Sequence, residues 1–119
     1  MHALEIETPR LRLRPLLERD DAFILELLNE PAFLANIGDK DVRDLSGARN
    51  YIEKGPQASY QQHGHGLLLV ELQAGAVPVG ICGLVKRDSL PHPDIGYAFL
   101  QRHWGRGYAS EAGAACLAH

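Results

Sequence analysis

An α/β domain, with a largely antiparallel sheet flanked by helices, is the fold class predicted by three features of the sequence. Near the N-terminus, apolar residues recur at helical spacing in two stretches. Leu67 to Leu100 reads as three consecutive strands joined by turns and a connection. The last of these, Asp94 to Leu100, leads through a glycine turn into an Ala-rich helical run.

Composition narrows the function classes. With 119 residues, the chain fits one domain with a single core. Its 45% hydrophobic and 23% charged residues sit near globular averages, which favours neither disorder nor a membrane class. Twelve Lys+Arg against 15 Asp+Glu give a formal charge of -3, so no general attraction to nucleic acid or anionic membranes is expected. Any phosphate site must be local. Met1 to Glu7 carries no basic cluster followed by an apolar stretch, and no run approaches a bilayer-spanning length, so a cytoplasmic location is the default expectation. Cys82 and Cys116 lack C-x-x-C spacing and read as buried small hydrophobes. An acyl-accepting thiolate would need a neighbouring base, and neither cysteine has one in sequence.

Taken in order, Leu4 and Ile6, then Leu11 and Leu13, alternate with polar residues on either side of Pro9, which predicts a strand with a break or bulge. Arg10, Arg12 and Arg14 share its other face, read as a solvated stripe in preference to one paired with acidic residues of a neighbouring element. Between Glu18 and Glu30, Phe23, Ile24, Leu27 and Leu28 define an amphipathic helix, with Asp20 or Asp21 as cap and Pro31 as stop. Ala32 to Gly38 predicts one more helical turn. Asp44 or Ser46 then caps a second helix with the stripe Ala48, Tyr51 and Ile52, ending near Gly55-Pro56, and Pro56 to Gln62 reads as a last helical piece.

Leu67 to Leu72 is an almost unbroken apolar strand of the kind buried on both faces. A turn over residues 73–76 leads to the strand Val77 to Val85, whose Gly80 and Gly83 signal a bulge or a close approach by another element. Residues 88–93 form a connection, and the strand Asp94 to Leu100 follows. The final helix, Gly107 to His119, presents Ala109, Ala112, Gly113 and Cys116 on one face, small enough to lie close on a sheet. His63 and His65, with His92 as a third candidate, raise the question of a metal. An i, i+2 pair alone is a poor zinc signal, so exposed loop histidines and no metal are expected.

Arg102-His103-Trp104-Gly105-Arg106-Gly107-Tyr108-Ala109 is the stretch that points to chemistry. Removing Cβ at Gly105 and Gly107 lets a ligand approach the main chain, and a helix's first turn offers free N–H groups at the positive end of its dipole. Arg102 and Arg106 add two permanent cations, which suits a phosphate or pyrophosphate. A P-loop would need Gly-Lys-Ser/Thr, but Tyr108 and Ala109 follow Gly107. A dinucleotide fingerprint would need Gly or Ala where Ser110 stands and an acidic residue about 20 positions on, beyond His119. The pattern Arg/Gln-x-x-Gly-x-Gly/Ala is met by Arg102, Gly105 and Gly107. Close helix packing alone would not require those three together.

On these residues the sequence resembles the GNAT superfamily of N-acetyltransferases, in particular the branch of the RimJ and RimL ribosomal-protein N-terminal acetyltransferases. The likeness includes Glu7-Thr8-Pro9-Arg10-Leu11-Arg12-Leu13-Arg14-Pro15-Leu16, Ile95-Gly96-Tyr97, and Trp104 to Ala112. It implies a GNAT-type, largely antiparallel sheet whose family fold continues past the helix at which this chain ends. It also implies an acetyl-CoA site in which Arg102, Gly105, Arg106, Gly107, Tyr108, Ala109 and Ser110 hold the pyrophosphate. Tyr97, Ala98, Phe99 and Leu100 would accompany the pantetheine arm, and their backbone N–H groups would polarise the thioester carbonyl.

The reaction implied is acetyl transfer to a primary amine of a protein N-terminus or small molecule, by direct attack in a ternary complex. Acetyl transfer to an amine needs a polarised carbonyl, an amine that has lost its proton and a proton for the departing thiolate. Asp94 is the candidate base, by analogy with acidic residues at this place in similar enzymes. Its competing reading is a strand-entry carboxylate solvated or capping the Pro93 turn. Glu111 reads as a carboxylate complementing the helix dipole. The family's tyrosine acid would lie beyond His119. The alternatives are a non-catalytic acyl-CoA-binding or interaction module, and a piece of a longer acetyltransferase whose open sheet edge favours self-association.

Overall fold

The computed structural model describes residues 5–85 and 94–118. Five strands lie in sequential order in one sheet, each antiparallel to its neighbour: β1 (Ile6–Glu7), β2 (Leu11–Pro15), β3 (Leu67–Leu72), β4 (Pro78–Val85) and β5 (Asp94–Phe99). Leu4, the connection expected over residues 88–93 with His92, and His119 lie outside the described residues.

The break at Pro9 is a chain reversal rather than a bulge in one strand. Ile6 pairs with Leu13 and Glu7 with Arg12, and the Thr8 N–H donates to the Leu11 carbonyl at 2.9 Å across the turn. Pro9 has no N–H to give a ladder and fits a turn at no such loss.

Helices cover both faces of the sheet. On one, α1 (Asp21–Leu28), α2 (Pro31–Asn36) and α3 (Leu45–Ile52) bury Ile24, Leu27, Phe33 and Ile52 against Leu69 and Ile81. On the other, α5 (Tyr108–Ala118) lays Ala112 and Cys116 against Leu11, Val79 and Phe99. Of the candidate caps, Asp44 closes α3, accepting the Gly47 N–H at 2.7 Å. Asp20 instead turns back to accept the Leu17 N–H at 2.8 Å.

The second helix does not end at Gly55-Pro56. Its chain runs through a wide π turn, Glu53–Gln57, into α4 (Ala58–His63), and Gly64 at φ 73° closes it. Pro56 cannot donate an i→i−4 bond, and the wider turn accommodates that loss. Tyr60 of α4 pins this layer to the sheet by accepting the Leu16 N–H at 3.0 Å and donating to the Leu67 carbonyl.

Gly83 and Gly80 are where the close approaches occur. A Cβ at Gly83 would lie 2.0 Å from the Gly66 carbonyl oxygen, and one at Gly80 would lie 2.5 Å from the Phe99 ring. The β3–β4 register also shifts here, Val70 facing Gly80 and Glu71 facing Pro78.

The arginine stripe is paired, not merely solvated. Arg14 makes two 2.9 Å bonds to Asp20 and one of 3.2 Å to buried Glu71; Arg12 reaches Glu7 and Glu71; Arg10 pairs with Glu111. Burying Glu71 in the sheet requires such cations around it. Cys82 and Cys116 are both buried, as expected, with sulfurs 3.8 Å apart. Their shared hydrogen bond and burial push the Cys82 thiol up from its ordinary value.

Candidate active site

β5 is the edge of the sheet among the described residues, and its free side leads into the glycine turn. The Leu100 N–H donates to the Val79 carbonyl of β4 at 2.9 Å. Backbone direction alternates along an antiparallel strand, so Ala98 also turns toward β4 while Tyr97 and Phe99 face the open edge. The Phe99 carbonyl meets the Trp104 indole N–H there at 2.8 Å. Tyr97, more than half exposed at 59%, keeps its backbone groups on that edge.

After β5 the chain makes a 3₁₀ turn, Gln101–His103, and reaches Gly105 and Gly107 at φ 79° and 81°. Both values lie where a side chain is disfavoured, which is why glycine occupies both positions. A Cβ at Gly105 would meet no atom within 4 Å, whereas one at Gly107 would lie 3.4 Å from Arg10 Nη2. Among the turn's backbone bonds, the Glu111 N–H donates to the Gly107 carbonyl at 3.0 Å. The N–H groups before it are left without a helical acceptor.

These elements border one cavity of about 550 Å³ that curls round the β5 edge. Phe33 and Ile37 of the α2 region line it together with Gly105, Gly107 and Ser110. Tyr97, Ala98, Phe99, Tyr108 and Ala109 also line it. The other predicted site residues do not line it. Leu100 is fully buried. Arg102 reaches away to Glu26 at 2.6 Å. Arg106 is exposed, and its carbonyl accepts a bond from Arg10 at 2.8 Å. Asp94 stands exposed at the start of β5, roughly 17 Å along the strand from Phe99. One of its carboxylate oxygens accepts the Ile95 N–H at 2.8 Å.

Residues 10–119 match the model of the acetyltransferase (GNAT) domain. The chain belongs to the GNAT acetyltransferase family. It is 34% identical over 117 residues to the uncharacterized protein YkkB of Bacillus subtilis (strain 168), a match covering 95% of this chain and 66% of that protein. An acetyltransferase from Agrobacterium tumefaciens str. C58 superposes with TM-score 0.78 at 27% identity, covering 96% of this chain and 64% of that one. RimL, a ribosomal L7/L12 alpha-N-protein acetyltransferase solved in complex with coenzyme A, superposes with TM-score 0.79 over 97% of this chain and 66% of its own. At 18% identity the RimL likeness is one of fold. The chain thus spans just under two thirds of the length of these relatives.

Two features of this cavity and its surroundings carried no signal in the sequence. His103 lines the cavity, and neither ring nitrogen is exposed or has a hydrogen-bond partner among the described residues. Burial, then the charges of Arg102 and Arg106, hold its pKa below the ordinary 6.5. The second is the approach of the N-terminal hairpin to the glycine turn, since Thr8 and Arg10 stand about a hundred positions from Glu111. His63 and His65 stack at 5.5 Å, and no three metal-ligating side chains cluster among the described residues.

Proposed function

We propose that this chain binds acetyl-CoA along the β5 edge and the glycine turn and transfers its acetyl group to a primary amine. One observation carries the reading: an open strand edge, two left-handed glycines and the first turn of an 11-residue helix all border the same cavity. The residues present suit the cofactor. Gly105 leaves room before the main chain, the early N–H groups of α5 suit a diphosphate, and exposed Arg106 adds a cation.

Acetyl-CoA supplies an activated acetyl thioester and, after transfer, a thiolate. The chain's own residues orient it. Tyr97 offers backbone groups to a pantetheine arm lying on the edge, in the manner of an added strand. Trp104 fixes the end of that edge through the Phe99 carbonyl. Ala98 and Leu100, turned toward β4, hold β5 to its neighbour. An arm anchored at the turn and extended along β5 leads back toward Asp94, which takes the amine's proton directly or through a water. Phe33 and Ile37 keep the cavity wall apolar and favour water exclusion.

The acceptor proposed is a protein N-terminus or a small-molecule amine, within a RimJ/RimL-like branch of the family and in the cytoplasm. The test follows thiol release from acetyl-CoA with a panel of N-terminal peptides and small amines. Turnover is expected, and Asp94→Asn should lower kcat about 100-fold while leaving CoA affinity unchanged. CoA binding without turnover on any acceptor would instead identify a non-catalytic acyl-CoA-binding module.

A further inference from the structure

The first turn of α5 is tied to the N-terminal hairpin by contacts that the acetyl-CoA reading does not use. Glu111 Oε1 accepts the Arg10 Nε–H at 2.7 Å, and Oε2 accepts the Arg10 backbone N–H at 3.1 Å and the Thr8 hydroxyl. Arg10 then reaches further. Its Nη1 donates to the Arg106 carbonyl at 2.8 Å, and its guanidinium carbon lies 4.7 Å from the centre of the Tyr108 ring.

We propose that Arg10 is a positioning residue for the diphosphate-binding turn, and that Thr8 and Glu111 hold Arg10 in place for that task. This rests on reading the turn as the diphosphate site of acetyl-CoA.

The bond to Arg106 carries the inference. A contact that only anchored the hairpin to α5 would be complete at Glu111. Arg106 lies between the two left-handed glycines, where the backbone is easiest to reorient. In a trans peptide the C=O and the next N–H point in opposite directions, and no residue in the described chain has a cis peptide. Holding the Arg106 carbonyl toward Arg10 therefore directs the Gly107 N–H away from Arg10. Gly107 borders the cavity. The cation over Tyr108 steadies the next residue in the same way.

Glu111 has a second effect. A carboxylate in the first turn of a helix can satisfy that helix's own N–H groups and so compete with an incoming anion. Here its oxygens are drawn to Thr8 and Arg10, on the hairpin side. The free N–H groups remain available. Burial opposes the Glu111 carboxylate, but the bonds from Thr8 and Arg10 outweigh it and keep its pKa below the ordinary 4.5.

The experiment pairs NMR relaxation order parameters of the backbone amides in the free protein with calorimetric titration of CoA and of pantetheine, which lacks the diphosphate. Arg10→Ala should lower the order parameters of Gly105, Arg106 and Gly107 from rigid values of about 0.85 to below about 0.6 while residues 112–116 stay unchanged. It should weaken CoA on the order of tenfold and leave pantetheine unaffected. Arg10→Lys should not restore CoA affinity, since one ammonium cannot bridge Glu111 and the Arg106 carbonyl as the planar fork does. Thr8→Val, which removes only one hydroxyl, should move both readouts in the same direction by a smaller amount. Unchanged order parameters and CoA affinity in Arg10→Ala would overturn the proposal. So would equal loss of CoA and pantetheine with a lowered melting temperature, which would make Arg10 a general stabiliser. If the wild-type chain bound no CoA while the turn still loosened in Arg10→Ala, the cofactor reading would fall and the positioning of the turn would stand.

Discussion

Among single residues, His103 gives the clearest pH signature. Its pKa lies below 6.5 because its ring is desolvated and faces Arg102 and Arg106, so the fold favours the neutral imidazole. As pH falls through 6.5, the unfolded chain takes up a proton that the folded chain does not, and stability must decrease over that range. An NMR titration of the imidazole should place its midpoint below 6.5, and a midpoint at or above that value would show that the ring is not held as described. Gly105 and Gly107 stood out in the sequence as positions without Cβ just before a helix, and the folded turn adds that both take positive φ. The pairing of Arg10, Arg12 and Arg14 was open to the sequence only as the less favoured reading. Their acidic partners are Glu7 of β1, Glu71 of β3, Asp20 just before α1 and Glu111 of α5, and alternation along one strand says which face a residue takes without naming what packs there. His103 was silent for the same reason. A histidine next to a glycine turn acquires its character only from the cavity that forms around it.

The secondary elements were read best where periodicity and punctuation agreed. The apolar run of β3 and the 3.6-residue stripe of α1 fall where expected, and Asp44 caps α3. Punctuation misled at two prolines. Pro9 marks a reversal between β1 and β2, and Pro56 sits inside a π turn that carries the α3 chain onward into α4. Both outcomes depend on pairing outside the proline itself, β1 with β2 in a hairpin and Tyr60 with distant Leu16 and nearby Leu67, which outweighs a local break. Gly83 provides the test at this scale. Its missing Cβ lets the Gly66 carbonyl approach β4, and backbone on both sides cannot give way as a flexible side chain would. Gly83→Ala should destabilise the fold by about 3 kcal/mol in urea unfolding. A loss below roughly 0.5 kcal/mol, the range of ordinary surface changes, would mean that the two chain segments do not approach so closely.

For the whole molecule, the strand–turn–helix order of its second half fixes where a ligand can lie. Sequential antiparallel pairing leaves β5 at the edge of the described sheet, and α2 and α5 border that edge from opposite faces. The order of β3, β4 and β5 and the glycine turn were legible because both arise from neighbouring segments, whereas the pairing of β2 with β3 joins distant ones. The cavity wall from Phe33 and Ile37 was not, because it forms only when α2 folds back over β5. A formal charge of -3 gives anions no long-range attraction, so cofactor binding must depend on local geometry at the turn. Gly105 is the place to perturb it. Asn tolerates the left-handed backbone better than other side chains, and at Gly105 it would project into open space without striking the protein. The most direct measurement is calorimetric titration of the chain and of Gly105→Asn with acetyl-CoA, CoA and NAD. Saturable binding of acetyl-CoA and CoA but not NAD, weakened at least tenfold in a folded Gly105→Asn variant, is the predicted result. Absence of binding to the folded wild-type chain, or equal affinity in the variant, would contradict the assignment of the turn as the cofactor site.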